Sequence, residues 1–238
     1  MGYFTDDITV KAYKYAYKKN YDHSYPNENI VRISEGIKLR PGSKCLDFGY
    51  GFGENLIHYA KKGHKMFGLD NHKILEKRTF KKIKERNLKL KFEPELKTMA
   101  NNAKKLPYKD NTFDFILSNQ VVYLLASEEK IFKLLKEFKR VAKKNAELVI
   151  TMMGEENWVA RDGKYIGNNC YEYDDKSKLN NVKGNFLHRF YILNSKSHTE
   201  YLFRDFKINE IGYFDNSYLG VHGLSLIHIS EPTRRTII

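Results

Sequence analysis

No stretch of this 238-residue chain approaches the ~18 to 20 consecutive apolar residues that a membrane-crossing helix needs. Met1 to Val10 are polar and acidic, where a secretory leader has a basic segment followed by an apolar one. The expectation is therefore a soluble, cytoplasmic protein with no membrane partner. Cysteine is scarce as well: Cys45 stands in an apolar run read as a core strand and Cys170 in a polar stretch read as a loop. Two such cysteines build neither a disulfide framework nor a metal site, and a reducing compartment suits them. No internal repeat and no separate linker interrupt the chain. With 41% hydrophobic and 14% aromatic residues it holds enough apolar surface for one domain-sized core.

Acids are outnumbered, 29 against 42 Lys and Arg, for a formal net charge of +13. Clustered cations neutralise phosphates and release counterions, so a nucleic-acid partner has to be weighed. The lysines at 130, 133, 136, 139, 143 and 144 are instead spread along one predicted helix and the turn after it, amid the Asn, Ile and Tyr of an AT-rich genome. A solvated basic surface is the favoured reading and nucleic acid the less favoured partner.

Leu224 to Arg234 resembles the in-frame translation of a transposon-type sequencing-library adapter, so residues 224–238 are set apart as an artefactual tail. Its alternation of apolar residues with Ser and His reads as a strand by pattern alone. On this reading 1–223 form one domain whose natural last strand is missing.

Upstream the chain alternates. Ile30 to Ile37 reads as the end of a helix, within a helical cap over about 1–40. Strands are predicted at Lys44 to Phe48, His64 to Leu69, Leu88 to Phe92, Thr112 to Ser118 and Ala146 to Met152, with helices at Glu54 to Lys62, Lys73 to Arg86 and Glu128 to Ala142. Ile131, Leu134, Leu135, Phe138 and Val141 fall at core spacing on the last of these helices. Such alternation implies an α/β fold with a mostly parallel, doubly wound sheet. From Gly154 to about Lys183 the pattern lapses into a polar stretch, and 154–193 reads as an inserted lid or substrate segment. The aromatic run Phe186 to Leu193, a helix near Lys196 to Phe203 and a strand Phe206 to Tyr213 follow.

The stretch Asp47-Phe48-Gly49-Tyr50-Gly51-Phe52-Gly53-Glu54 joins the first strand to a helix. A nicotinamide-binding loop requires Gly-x-Gly-x-x-Gly, but counting from Gly49 the last position is Glu54, and from Gly51 it is Leu56. Both registers fail, and a carboxylate at the helix start would crowd a pyrophosphate. The residues resemble the first motif of the class I S-adenosylmethionine-dependent methyltransferases, acid-x-Gly-x-Gly-x-Gly, with Asp47, Gly49, Gly51 and Gly53 matching position for position. The resemblance implies a Rossmann-like fold and S-adenosylmethionine as cofactor. It places the loop around the methionine part and Asp47 near its ammonium group.

In that family an acid ending the second strand receives both ribose hydroxyls, and Asp70, followed by Asn71, stands there. A carboxylate capping the next helix is the other reading of Asp70, and the two are compatible. Asn102-Ala103-Lys104-Lys105-Leu106-Pro107-Tyr108 resembles the family's acid-Ala-x-x-Leu-Pro-Phe stretch, with Asn102 in place of the acid that accepts from the adenine amino group. An amide oxygen still accepts, without charge assistance. Asp114 reads as structural, whereas Asn119 and Gln120 at the end of the fourth strand face the methyl-donor end. Glu137-Phe138-Lys139-Arg140-Val141 resembles the Glu-x-x-Arg-Val segment, with Asn145 in the turn where the family has glycine.

Candidates for the acceptor side lie outside these motifs: Tyr21, His23 and Tyr25 near the start, then His188 and Arg189 in the aromatic run. His188 is the candidate general base, set against the plainer reading of a packed histidine. Tyr25-Pro26-Asn27-Glu28 resembles a Tyr-Pro-x-Glu stretch in a subset of uncharacterised bacterial methyltransferases, which implies a small-molecule or sugar-type acceptor. No Asn-Pro-Pro-Tyr follows the fourth strand, a feature often carried by amino-methylating nucleic-acid enzymes. An RNA or protein methyltransferase, or a noncatalytic cofactor-binding protein, is the alternative.

Overall fold

A computed structural model of the chain describes residues 10, 11, 14, 24–100, 102–175, 186–213 and 225–230. The candidates Tyr21 and His23 lie outside them. In chain order the elements are α1 (Glu28–Gly36), β1 (Lys44–Phe48), α2 (Glu54–Lys61), β2 (Lys65–Asp70), α3 (Ile74–Glu85), β3 (Glu95–Thr98), β4 (Phe113–Ser118), a 3-10 turn (Val122–Leu125), α4 (Glu128–Val141) and β5 (Ala142–Gly154). Then come α5 (Trp158–Asp162), β6 (Lys164–Gly167), β7 (Cys170–Asp175), β8 (Phe186–Leu193), α6 (Lys196–Leu202), β9 (Lys207–Tyr213) and β10 (Ser225–Ser230). Among the described residues, no helix is long and apolar enough to cross a membrane.

The sheet runs β3-β2-β1-β4-β5, all parallel, and continues through β8, β7 and β6. Successive strand residues point to opposite faces, and two separate cores result. Leu46, Phe48, Ile116, Leu148 and Ile150 enter one core with Phe138 and Leu134 of α4; Cys45, Phe115, Leu117 and Val149 enter the other with Leu56 and Tyr59 of α2. This is the doubly wound α/β arrangement that the alternation implies. It opens a crevice at the carboxyl ends of β1 and β4, where the strand order reverses.

Three expectations change. The third strand is Glu95–Thr98, not Leu88 to Phe92. Pro94 divides the two stretches and has no N–H to donate, and Leu96 seats itself over Gly68, where a Cβ would lie 2.6 Å from its Cδ2. Cys170 is buried in a strand, not set in a loop. The polar stretch after Gly154 is largely a hairpin: β6 pairs with β7 and β7 with β8, both antiparallel, and β8 adds to β5 in parallel at Met153 and Gly154. Its polar residues pair across strands, as Glu172 does with Arg189, and so mimic a loop in sequence. The tail forms the strand that its pattern reads: Ser225–Ser230 lies antiparallel between β5 and β9. Backbone pairing needs only the alternation of this segment, whatever its origin.

Candidate functional site

The glycine loop turns from β1 into α2 with the Gly49 N–H donating to the Leu69 carbonyl at 2.7 Å and the Gly53 N–H to that of Tyr50 at 2.9 Å. Gly49 has φ +73°, and a Cβ there would stand 2.3 Å from Val121 Cγ2. Only glycine lets the end of β1 lie this close to the segment following β4. Gly51 faces open space, with no heavy atom within 4 Å of where its Cβ would be, and its N–H donates to Asp70 Oδ2 at 3.1 Å.

Asp47 points into the interior with 2% of its surface exposed, and its Oδ2 has no hydrogen-bond partner among the described residues. Burial first, then the Asp70 carboxylate, push its pKa up to about 8. Asp70 is itself anchored by backbone: Oδ1 accepts from the Asn71 N–H at 2.7 Å and the His72 N–H at 3.2 Å, while Oδ2 takes Gly51. The two acids are thus unequal. The oxygens of Asp70 are answered by backbone N–H groups, and Asp47 is left with an unanswered acceptor among the described residues. Tyr50 is buried beside them, its hydroxyl pushed upward by desolvation and then by Asp70.

At the end of β4, Asn119 Oδ1 accepts from Thr151 Oγ1 at 3.2 Å, and that hydroxyl accepts from the Gln120 N–H at 2.6 Å. Gln120 is exposed at φ +61°, a strained backbone conformation for a non-glycine residue. Asn102 is exposed in the turn after β3, and the Ala103 N–H donates to the Ala100 carbonyl at 3.0 Å. The stretch beyond is held by α4: the Leu106 N–H donates to Glu137 Oε2 at 2.7 Å, and Arg140 donates to the Leu106 and Tyr108 carbonyls at 3.1 and 2.9 Å. Glu137 and Arg140 therefore form the clamp for the Leu-Pro-Tyr segment. Asp114 accepts from the Lys44 N–H and from Lys143 Nζ, a structural position as its place at the start of β4 implies.

Glu54 does not face the loop's mouth. It is buried against α3, accepting from Lys82 at 2.9 Å and from Arg86 at 2.7 and 2.8 Å. Desolvation raises its pKa, but these hydrogen bonds outweigh it and hold the carboxyl low. Glu54 therefore does not crowd a pyrophosphate at the helix start, contrary to the expectation; the absent sixth glycine still excludes the dinucleotide register.

The acceptor-side candidates sit apart from one another. His188 lies opposite Tyr173 on the hairpin and stacks on Phe190, centroids 5.7 Å apart, and Phe190 meets Tyr123 of the 3-10 turn at 6.0 Å. Arg189 points to the other face and pairs with Glu172 at 3.0 Å. Tyr25 is 69% exposed just ahead of α1. Sequence reasoning missed Thr151, a lone hydroxyl in an apolar run, and His72, which reaches Asp70 Oδ1 with Nδ1 at 3.4 Å and the Val10 carbonyl with Nε2 at 3.3 Å.

Residues 46–150 match the family model for a methyltransferase domain. A methyltransferase domain therefore occupies this central part of the chain, the stretch that also carries the resemblance to the class I S-adenosylmethionine-dependent methyltransferases. Among solved structures, the chain shares its fold with a protein from Methanosarcina mazei at a TM-score of 0.69, with 18% identity over 87% of this chain and 98% of that one. A methyltransferase from Aquifex aeolicus superposes at 0.56 with 19% identity, over 95% of this chain and 99% of the other. A demethylmenaquinone methyltransferase of Bacillus mycoides is 28% identical over 153 residues, 60% of each protein. A sterol 4-C-methyltransferase of Caenorhabditis elegans is 25% identical over 132 residues, 56% of this chain and 37% of that protein. The chain thus spans between about two fifths and three fifths of these two curated relatives. The family's cofactor is S-adenosylmethionine, and the residues present fit it: a buried, unanswered carboxylate oxygen suits an ammonium, and open space lies over Gly51.

Proposed function

We propose that this methyltransferase moves a methyl group from S-adenosylmethionine to a small, ring-bearing acceptor seated against the β7–β8 hairpin. The observation that carries the reading is Asp47, whose buried and unpartnered Oδ2 asks for a cationic donor beside the glycine loop. In this reading Asp47 takes the ammonium, Gly49, Gly51 and Gly53 line the methionine part, Asp70 with Asn71 takes the ribose, and Asn102 with Ala103 takes the adenine. The bound cofactor supplies a methyl group on a sulfonium. The protein's task is alignment for in-line displacement, worth up to ~7 to 11 kcal/mol in favourable cases. Asn119, locked to Thr151, and Gln120, held in its strained conformation, define the methyl-donor end.

The small-molecule acceptor is supported by the aromatic character of the hairpin face, where Tyr173, His188 and Phe190 stand with Tyr123 and Trp158 around them. Two of the relatives are also named for small-molecule acceptors, a sterol and demethylmenaquinone. Where the acceptor must lose a proton, His188 is the base of this reading, for a further ~10² to 10⁴ in rate. Tyr25, exposed just ahead of α1, is the further acceptor-side candidate of this reading, while Arg189 contributes by stiffening the hairpin.

Thermal denaturation tests the reading. S-adenosylmethionine at about 100 times its dissociation constant is expected to add ~2.7 kcal/mol of stability, and NAD none. Equal shifts from both, or none from either, overturn it.

A further inference from the structure

The charge of this protein is not evenly spread. Residues 73–105 hold twelve Lys and Arg against four acids, so this stretch carries +8 of the chain's +13. It comprises α3, β3 and the segments beside them, on the sheet edge opposite the hairpin. At about 100° per residue, Lys73, Ile74, Lys77, Phe80, Lys81 and Lys84 fall within one arc of about 120° on α3. Glu76 and Glu85 lie outside that arc, and the inward arc holds the buried Leu75 and Thr79. Ile74 and Phe80 are 43% and 36% exposed. Lys81 reaches Glu85 at 3.5 Å, an exposed pair of little strength.

We propose that the outward face of α3 adsorbs to an anionic lipid surface. Crossing a bilayer and lying on one are different demands, and the absence of a membrane-crossing helix among the described residues bears only on the first. Four lysines on a convex helix meet a negative leaflet without a groove, and Ile74 and Phe80 between them supply the apolar contact that pure electrostatics lacks. A nucleic acid is the weaker match: the face is convex, and the aliphatic Ile74 cannot stack on a base. The proposal does not depend on the identity of the acceptor.

Co-sedimentation with vesicles decides it. The full chain is expected to bind phosphatidylcholine vesicles containing about 30% phosphatidylserine, to ignore pure phosphatidylcholine, and to release as salt screens the contact. Each lysine near an anionic surface is worth about fivefold in affinity, so the K77Q/K81Q/K84Q variant is expected to lose on the order of a hundredfold. F80S is expected to weaken binding without changing its salt dependence, which separates lipid insertion from simple charge attraction. The S-adenosylmethionine-induced shift in melting temperature, unchanged in both variants, checks that they fold. Equal binding to both vesicle types, wild-type binding by the triple variant, an F80S protein that binds like wild type, or capture of a 20-nucleotide RNA in preference to vesicles each overturns the proposal.

Discussion

The two ends of the crevice are built on different principles. At the glycine loop, polar atoms are aimed by backbone: three main-chain N–H groups hold Asp70, the turn at Gly49 sets the approach of Val121, and Asp47 is left buried with an open acceptor. At the hairpin, polar groups answer one another, Glu172 with Arg189, and the aromatic rings pack on one another, His188 on Phe190 and Phe190 on Tyr123. On the proposed reading, fixed dipoles suit a site for a single cofactor. A surface of paired charges and rings can change its acceptor by substitution without disturbing the frame.

The largest effect is expected where a buried charge loses its partner behind the loop. Glu54→Ala leaves Lys82 and Arg86 uncompensated and should cost about 3 kcal/mol in urea unfolding. Gly49→Ala follows. A left-handed alanine costs about 1 to 2 kcal/mol, and its Cβ collides with Val121, so calorimetric titration should detect no cofactor binding while the fold survives.

Asp47→Asn should weaken the cofactor by about 1.5 to 3 kcal/mol, the worth of a charged hydrogen bond. Its pH signature is the sharper test. The native carboxyl, pushed up to about 8, holds its proton where the unfolded chain, at the ordinary 3.8, has released it. Stability from this group therefore falls as pH rises between those values. The cofactor-free protein should lose melting temperature from pH 5 to 8, and Asp47→Asn should flatten that slope; an unchanged slope would show that Asp47 is not its source.

The smallest effect belongs to the hairpin. Arg189→Ala removes one cross-strand pair, about 0.2 to 1 kcal/mol, and should leave cofactor affinity as it was. The contrast between the two ends fails if this variant unfolds as readily as Glu54→Ala.

Much of the cofactor end was legible in the chain because its determinants are local. Three alternate glycines, an acid ending each of two strands and helical spacing along α4 operate over a few residues, and the parallel sheet follows from their order. What misled was also local: Leu88 to Phe92 alternates like a strand, yet the register with β2 belongs to the residues after Pro94, where Leu96 finds the space over Gly68.

By itself, then, the sequence determined the fold class, the glycine loop and the positions of Asp47 and Asp70. Only the tertiary structure decided what each polar group meets. Asp47 and Glu54 read alike as acids flanking one loop, but packing leaves the first unanswered and commits the second to Lys82 and Arg86. It likewise turned a polar stretch into a hairpin. Burial and charge pairing depend on residues tens of positions apart, and no local pattern encodes them.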